Sequence, residues 1–454
     1  MRTLKLLVLC TLTACAPTVG PEVTMRAVSP ATVPDLPAMK TFGPARAPHA
    51  GRANAEIAQD FLDLEFRMES GRALPVFSRF DRPITVALRG AVPATAPADL
   101  AALIGRLRAE AGIDLRATPG AAAITFEFLP RDAIRATFAN VACFVVPGVS
   151  SWASYRAAQG LARLDWATVT ARDTVAIFLP SDTSPQEVRD CLHEELAQAM
   201  GPLNDLYSLS DSVFNDDNFH TVLTGFDMLI LRLHYAPELH SGMTRAEVAA
   251  LLPALLARIN PAGQHPGYKP ADTTPRGWIS AIETALGAKA PVMVRRAAAT
   301  QALALARSQG WHDSRLAFSL FALGRLGIAT DPAAAVAAFT EAARLYRSLP
   351  EGQIHAAHVD MQLAALALSS GDATRALALV DQAIPVVRTA QNAALLATLL
   401  MVKAEALTAL GRDSEAAQAR LDSLGWARYG FGPDAAVRAR MSEITALRPG
   451  GRPG

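Results

Sequence analysis

Hydrophobic positions along this chain follow two rhythms. Between residues 83 and 180 they come in short runs. Pro83-Ile84-Thr85-Val86-Ala87-Leu88 predicts a strand, and so do Ala123–Phe128, Val141–Val146 and Thr174–Leu179. Between the first two, Leu100, Leu103, Ile104 and Leu107 recur at helical spacing, which predicts a helix over 97–112 with Pro97 in its first turn. A second helix is predicted over 185–200. Ser184 is a suitable N-cap, Pro185 suits the first helical position and Glu187 completes a capping box. Gly201 predicts a left-handed stop, and Pro202 blocks continuation. Val188, Leu192, Leu196 and Ala199 form the apolar stripe of this helix, and Glu195 falls inside it. A carboxylate on a buried face costs free energy unless it is paired or functional, so Glu195 stands out.

From Val292 to Leu447 the rhythm is helical throughout, and it repeats. Asp331, Asp372 and Asp413 recur every 41 residues, each ahead of an alanine-rich helix. Ala335, Phe339 and Ala342 correspond to Ala376, Val380 and Ala383, while Gly324, Ala365 and Ala406 hold one register in the preceding helices. Small residues at fixed offsets let paired helices approach closely, as in helical repeat arrays. The A-x-x-x-F-x-x-A pattern is similar to the second helix of a tetratricopeptide repeat, with a longer period.

The N-terminus reads as targeting. Arg2 and Lys5 precede the apolar run Leu6–Leu9, which is too short to span a bilayer. Leu12-Thr13-Ala14-Cys15 resembles a lipobox, which implies cleavage before Cys15 and lipid attachment to its thiol. Ala16 at the next position implies the outer rather than the inner membrane, with the protein facing the periplasm. The expected organisation is a leader over 1–14, a proline-rich tether over 15–55, an α+β domain over 56–262, a linker over 263–291, helical repeats over 292–447 and a disordered tail over 448–454. Within the linker, Trp278 to Leu286 reads as a short helix of open allegiance.

Composition narrows the function classes. Net charge is +1, so no global field attracts nucleic acid, and 6% aromatic residues disfavour a base- or sugar-stacking groove. In an oxidising compartment Cys143 and Cys191 are the free thiols and can form a disulfide; two buried reduced cysteines are the alternative. No Walker loop, dinucleotide glycine fingerprint or nucleophile elbow is present.

His193-Glu194 suggests a zinc HExxH helix, yet the fourth residue after His193 is Ala197, which cannot ligate metal. Shifted by one, Glu194-Glu195-x-x-Gln198-x-x-Gly201-x-x-Asn204-Asp205 has the spacing of HExxHxxGxxHD and resembles the metzincin signature. Ser212-Val213-Phe214-Asn215 resembles the Met-turn region, and Phe226-Asp227 through Tyr235 resembles the closing helix of matrixins and serralysins. The string C-x-x-E-E-x-x-Q-x-x-G-x-x-N-D, with the later SxFND and FDxxxLRxxY, is also similar to the DUF2927 family of proteobacterial proteins. The resemblance implies a mixed sheet with two main helices. It implies metal-ligand positions at Glu194, Gln198 and Asn204, with Asp205 adjacent, and a general base at Glu195. One carboxylate and two amides are poor zinc donors. The reading is therefore a protease-shaped module without a resident cofactor, with zinc or calcium left open, a divergent metal-dependent or Glu-based hydrolase (peptidase) as the alternative and a purely structural polar cluster as the third reading.

Other candidates are weaker. Asp211, Asp216, Asp217 and His220 form an acidic loop that reads as solvated or calcium-binding, without EF-hand spacing. Arg189 and His193 read as surface residues, His234 as a packing residue, and His355 and His358 with Asp360 as a helix face or a metal pair. Trp426, Arg428, Tyr429 and Phe431, amid glycines, suit a protein-binding hot spot or the cap of the last repeat. The expected partners are the membrane, through the lipid anchor, and a protein or peptide, through the repeats.

Overall fold

A computed structural model describes residues 36–43, 51–138, 141–270, 274–287, 289–350 and 352–450. The leader, Cys15 and most of the proline-rich segment lie outside these residues. Pro37–Gly454 forms one compact unit. Among the described residues no helix is long and apolar enough to cross a membrane.

The N-terminal half carries helix α1 (Asn54–Glu65) and five strands interleaved with helices. These are β1 (Ile84–Gly90), α2 (Ala96–Arg106), β2 (Leu115–Ala117), β3 (Ile124–Leu129), α3 (Arg131–Arg135), β4 (Phe144–Pro147), α4 (Trp152–Ala158) and β5 (Val175–Pro180). The sheet order is β2-β1-β3-β5-β4, with β4 antiparallel and the other pairings parallel. All six residues of β5 are buried, as expected of a central strand covered on both faces. The predicted strands and the two main helices are present. β2 is an addition of three residues, too short to give a periodic signal and defined by its parallel pairing with β1. The helix predicted over 97–112 widens into a π-turn over Leu107–Ala111 and stops at Gly112, whose φ is +73°.

Three helices complete this half: α5 (Pro185–Met200), α6 (Gly225–His234) and α7 (Arg245–Ile259). Then come α8 (Arg276–Leu286), α9 (Val292–Ser308), α10 (Ser314–Gly327), α11 (Pro332–Ser348), α12 (Gln353–Ser369), α13 (Ala373–Thr389), α14 (Ala393–Ala409), α15 (Asp413–Phe431) and α16 (Asp434–Thr445). Each of α8 to α15 packs on the next, and α16 returns to α14 and α15. α8, whose allegiance the sequence left open, belongs here: Trp278 is fully buried with Phe318, Phe321 and Phe339 in the core of the first helices. The linker expected over 263–291 therefore contains the opening helix of the array.

The repeat register has a packing basis. A Cβ on Gly324 would come within 2.7 Å of the Phe339 ring, so α10 and α11 approach at a glycine. Asp331 and Asp372 cap α11 and α13, accepting from the amides of Ala334 and Arg375. Asp413 departs from the pattern. The N-cap of α15 is Arg412, and Asp413 sits in the first turn, where its charge still suits the helix dipole. The tail expected from 448 begins as structure: Arg448 lies 3.4 Å from Glu405.

The tether expected over 15–55 is not free along its described length. Phe42 stacks on Trp426 at 4.4 Å, Lys40 pairs with Asp422, and Arg428 donates to the Pro37 carbonyl at 3.0 Å. Residues 37–43 thus run along α15, and α1 begins at Asn54.

Candidate functional site

Helix α5 is the element that the sequence singled out. Ser184 accepts from the Glu187 amide at 3.1 Å. The expected capping box is incomplete, because the Glu187 carboxylate goes to Thr183 and to Arg131 instead. Gly201 ends the helix but is not left-handed; its φ is −145°. Close approach explains this glycine: a Cβ would lie 3.3 Å from Leu231 and 3.5 Å from the His234 ring on α6.

The helix is buried on more than one face. Val188, Leu192, Leu196 and Ala199 face the core. Arg189 and His193, expected at the surface, are each 5% exposed. The helical half covers Arg189, which donates to the Gln391 carbonyl and lies between the rings of Phe42 and Tyr429. His193 Nδ1 accepts from the Leu223 amide at 3.1 Å, and burial pushes its pKa well down, so it is a neutral structural acceptor.

Around Glu194 and Glu195 the tertiary structure gathers more carboxylates. Asp205 comes from the loop after α5, Asp216 from the loop before α6 and Glu69 from the connection after α1. Burial pushes Glu195 well above the usual carboxylate range, with Glu194 and Glu69 adding to the effect. Burial likewise raises the half-buried Glu194 to about 8, helped first by Asp216 and then by Glu69. Asp205 goes up for the same reasons, burial first and Asp216 next. Like charges in low dielectric hold protons rather than ionise together. Oε2 of Glu195 and Oδ1 of Asp205 are buried without a hydrogen-bond partner among the described residues. Glu69 gave no sequence signal, since nothing in its local pattern marks it as a neighbour of α5.

Two of the positions that resemble metal ligands hydrogen-bond within the chain. Asn204 Nδ2 donates to the Asp63 carbonyl at 2.9 Å, which ties the loop to α1. Gln198 Nε2 donates to Asp205 at 3.4 Å. Among the described residues no group of three histidine, cysteine, aspartate or glutamate side chains is placed to hold a metal ion. The donor set does not fit zinc, and calcium would need more oxygens converging on one point.

Below this cluster the Ser212–Asn215 turn is fixed by Asp227. Its carboxylate accepts from Ser212 at 2.5 Å, from the Val213 amide at 3.2 Å and from the Thr224 amide at 2.7 Å. Phe214 is fully buried at the turn. Cys143 and Cys191 are joined by a disulfide that ties β4 to α5 one turn before Glu194.

The acidic loop, expected to be solvated or calcium-binding, is mostly buried. Asp211 pairs with Arg52 at 3.0 Å, and Asp217 pairs with His355 at 2.9 Å. Asp216 alone is open. His355 and His358 do not form a metal pair with Asp360, which pairs with Arg347. His358 lies against Phe219, and burial lowers its pKa to about 3. His234 does pack, with Nδ1 2.7 Å from Glu65. The aromatic segment near 426–431 serves contacts within the chain. Trp426 stacks on Phe42, Tyr429 donates to Asp99 at 2.9 Å, and Arg428 binds the Pro37 carbonyl. Phe431 lines an open groove of about 490 Å³ with Arg131, Ser184, Pro433, Arg440 and Glu443.

The raised carboxylates give the site a pH signature. A carboxyl with a folded pKa above its unfolded one contributes stability that is fully present below the unfolded value, near 4.5 for Glu194, and lost as pH rises through about 8. Urea midpoints are therefore expected to fall between pH 5 and pH 8. Glu194→Gln, which keeps the shape and removes the charge, should flatten that fall and raise stability at pH 8 by on the order of 1–2 kcal/mol, discounted for partial exposure. A variant with the wild-type slope would show that Glu194 ionises freely in the folded protein.

Residues 54–254 match a family model described as a protein of unknown function, DUF2927. The match runs from the start of α1 into α7, so it takes in the sheet, α5 and the carboxylate cluster and leaves out the array from α8 onward. No curated protein matches the chain.

Proposed function

We propose that the chain is a protease-shaped binding and assembly module of the cell envelope that does not itself catalyse hydrolysis. In this reading Cys15 carries a lipid anchor, the protein faces the periplasm from the outer membrane, the α+β half has the metzincin framework, and the helical half is a tetratricopeptide-like array that receives a protein or peptide. The order of strands before α5, the spacing of residues 194–205 and the buried Phe214 turn support the metzincin likeness. Helical pairs packed at Gly324 and Phe339 support the repeat likeness. Fold likeness alone does not carry function. The observation that carries the non-catalytic reading is the state of the ligand positions: Asn204 and Gln198 are hydrogen-bonded within the chain and the third donor is the carboxylate Glu194.

One observation favours the competing hydrolase reading. Glu195 has a buried oxygen with no hydrogen-bond partner among the described residues, beside a second carboxyl at Glu194. General acid–base catalysis by such a pair contributes roughly 10²–10⁴-fold in rate.

Elemental analysis of the chain from Ala16 onward, before and after dialysis against zinc, calcium and manganese, separates the two. The expected result is no stoichiometric metal, an unchanged melting temperature with each ion and no peptide or ester hydrolysis. Stoichiometric metal that is lost in Glu194→Ala or Asn204→Ala, with hydrolysis lost in Glu195→Gln, would overturn the proposal.

A further inference from the structure

We propose that the first turn of α9 is a membrane-contact tip that takes anionic phospholipid. Apolar exposure is concentrated there: Val292, Met293 and Val294 are consecutive and 52%, 67% and 48% exposed, and Pro291 before them is exposed too. Isolated exposed aliphatics are ordinary, but an apolar run at a helix tip needs a partner or a reason.

Cations surround the tip. Lys289 precedes it, Arg295 and Arg296 follow it, and Arg325 from α10 stands beside Arg295. Arg295 Nε donates to the Ala285 carbonyl at 2.9 Å and Arg296 Nε to the Leu326 carbonyl at 2.8 Å, so backbone acceptors hold both side chains in place. None of the four cations has a carboxylate partner among the described residues. Most arginines elsewhere in the helical half pair with an acid, as Arg347 does with Asp360 and Arg420 with Glu405. Partial burial, and then Arg295, lower the Arg325 pKa, as expected where like charges sit together without a counter-ion.

Size and chemistry favour a lipid surface over a protein. A stable protein interface covers about 800 Å² on each partner and uses aromatic anchors, and three aliphatic side chains on one turn supply neither. Insertion at the headgroup boundary needs only a small apolar tip and a ring of cations, each contributing ~1 kcal/mol near an anionic surface. The proposal does not depend on acylation of Cys15.

The test is vesicle co-sedimentation of the chain from Ala16 onward, which keeps every described residue and removes both the leader and Cys15. Vesicles of phosphatidylglycerol with phosphatidylethanolamine are compared with phosphatidylcholine alone. Retention on the anionic vesicles is expected, weakened by high salt and roughly tenfold lower for Val292→Ser/Met293→Ser/Val294→Ser. Arg325→Gln should weaken it several-fold. Should the triple variant fail to fold, Met293→Ser alone carries the same expectation at a smaller size. No retention, equal retention on phosphatidylcholine, or retention untouched by these substitutions overturns the proposal. So does self-association of the wild type that the substitutions abolish, which would assign the tip to a second copy of the chain.

Discussion

Arg172→Met is expected to destabilise the protein by ~3–5 kcal/mol, the cost of removing one partner from a buried charged network. Arg172 lies before β5 and is 4% exposed. Its Nη1 donates to the carbonyls of Gln198 and Ala199 at 2.8 and 2.9 Å, and its Nη2 to that of Gly201 at 2.6 Å. These are carbonyls of the last turn and C-cap of α5 that have no partner inside the helix. Nε donates to Ser78 at 3.2 Å, and the guanidinium lies over Trp166 at 4.9 Å. A cation at this end also complements the helix dipole. Methionine keeps most of the stem volume, so the loss reports hydrogen bonds and charge more than cavity formation. Urea unfolding measures it. A loss below ~1 kcal/mol would mean that water or a relaxed helix end satisfies the carbonyls. Because the same residue holds the end of α5 that bears Gln198, the variant should also alter the local environment of the carboxylate cluster.

Removing the disulfide by Cys143→Ala/Cys191→Ala should cost about as much. The bond joins cysteines 48 positions apart, and the chain-entropy model gives ~4 kcal/mol for a loop of that length. Cys191 is buried on α5 and Cys143 packs against the same core, so part of the loss will come from two small cavities. Comparing the double variant with the reduced wild type separates the two contributions: reduction breaks the link and leaves the side chains. An oxidised wild type no more stable than its reduced form would show that packing alone fixes α5 against β4.

Sequence by itself determined the local elements. Strand runs and helix caps depend on neighbours within a few residues, so β1, β3, β4, β5 and α5 fell close to where the pattern placed them. Within the 41-residue register of small residues, Gly324 has a packing reason, because its close approach to Phe339 needs a missing side chain at that offset. Local pattern also placed Glu195 on a buried face.

What surrounds those elements was decided only by the tertiary structure. Arg189 and His193 read as surface residues because α5 taken alone has a polar side; the helical half covers Arg189, and the segment before α6 meets His193. Trp426 and Tyr429 read as a hot spot for a partner or the cap of the last repeat, and residues 37–43 and Asp99 are what meet them. Asp211 and Asp217 read as a solvated loop until Arg52 and His355 arrive from distant parts of the chain. Glu69 joins the carboxylate cluster for the same reason. Burial and charge pairing are set by whatever packs across a surface, which short-range periodicity does not encode. The residue types at 194, 198 and 204 were legible from the start, but whether they face a ligand or one another depends on contacts with α1 and the loop after α5 that form only when the chain folds.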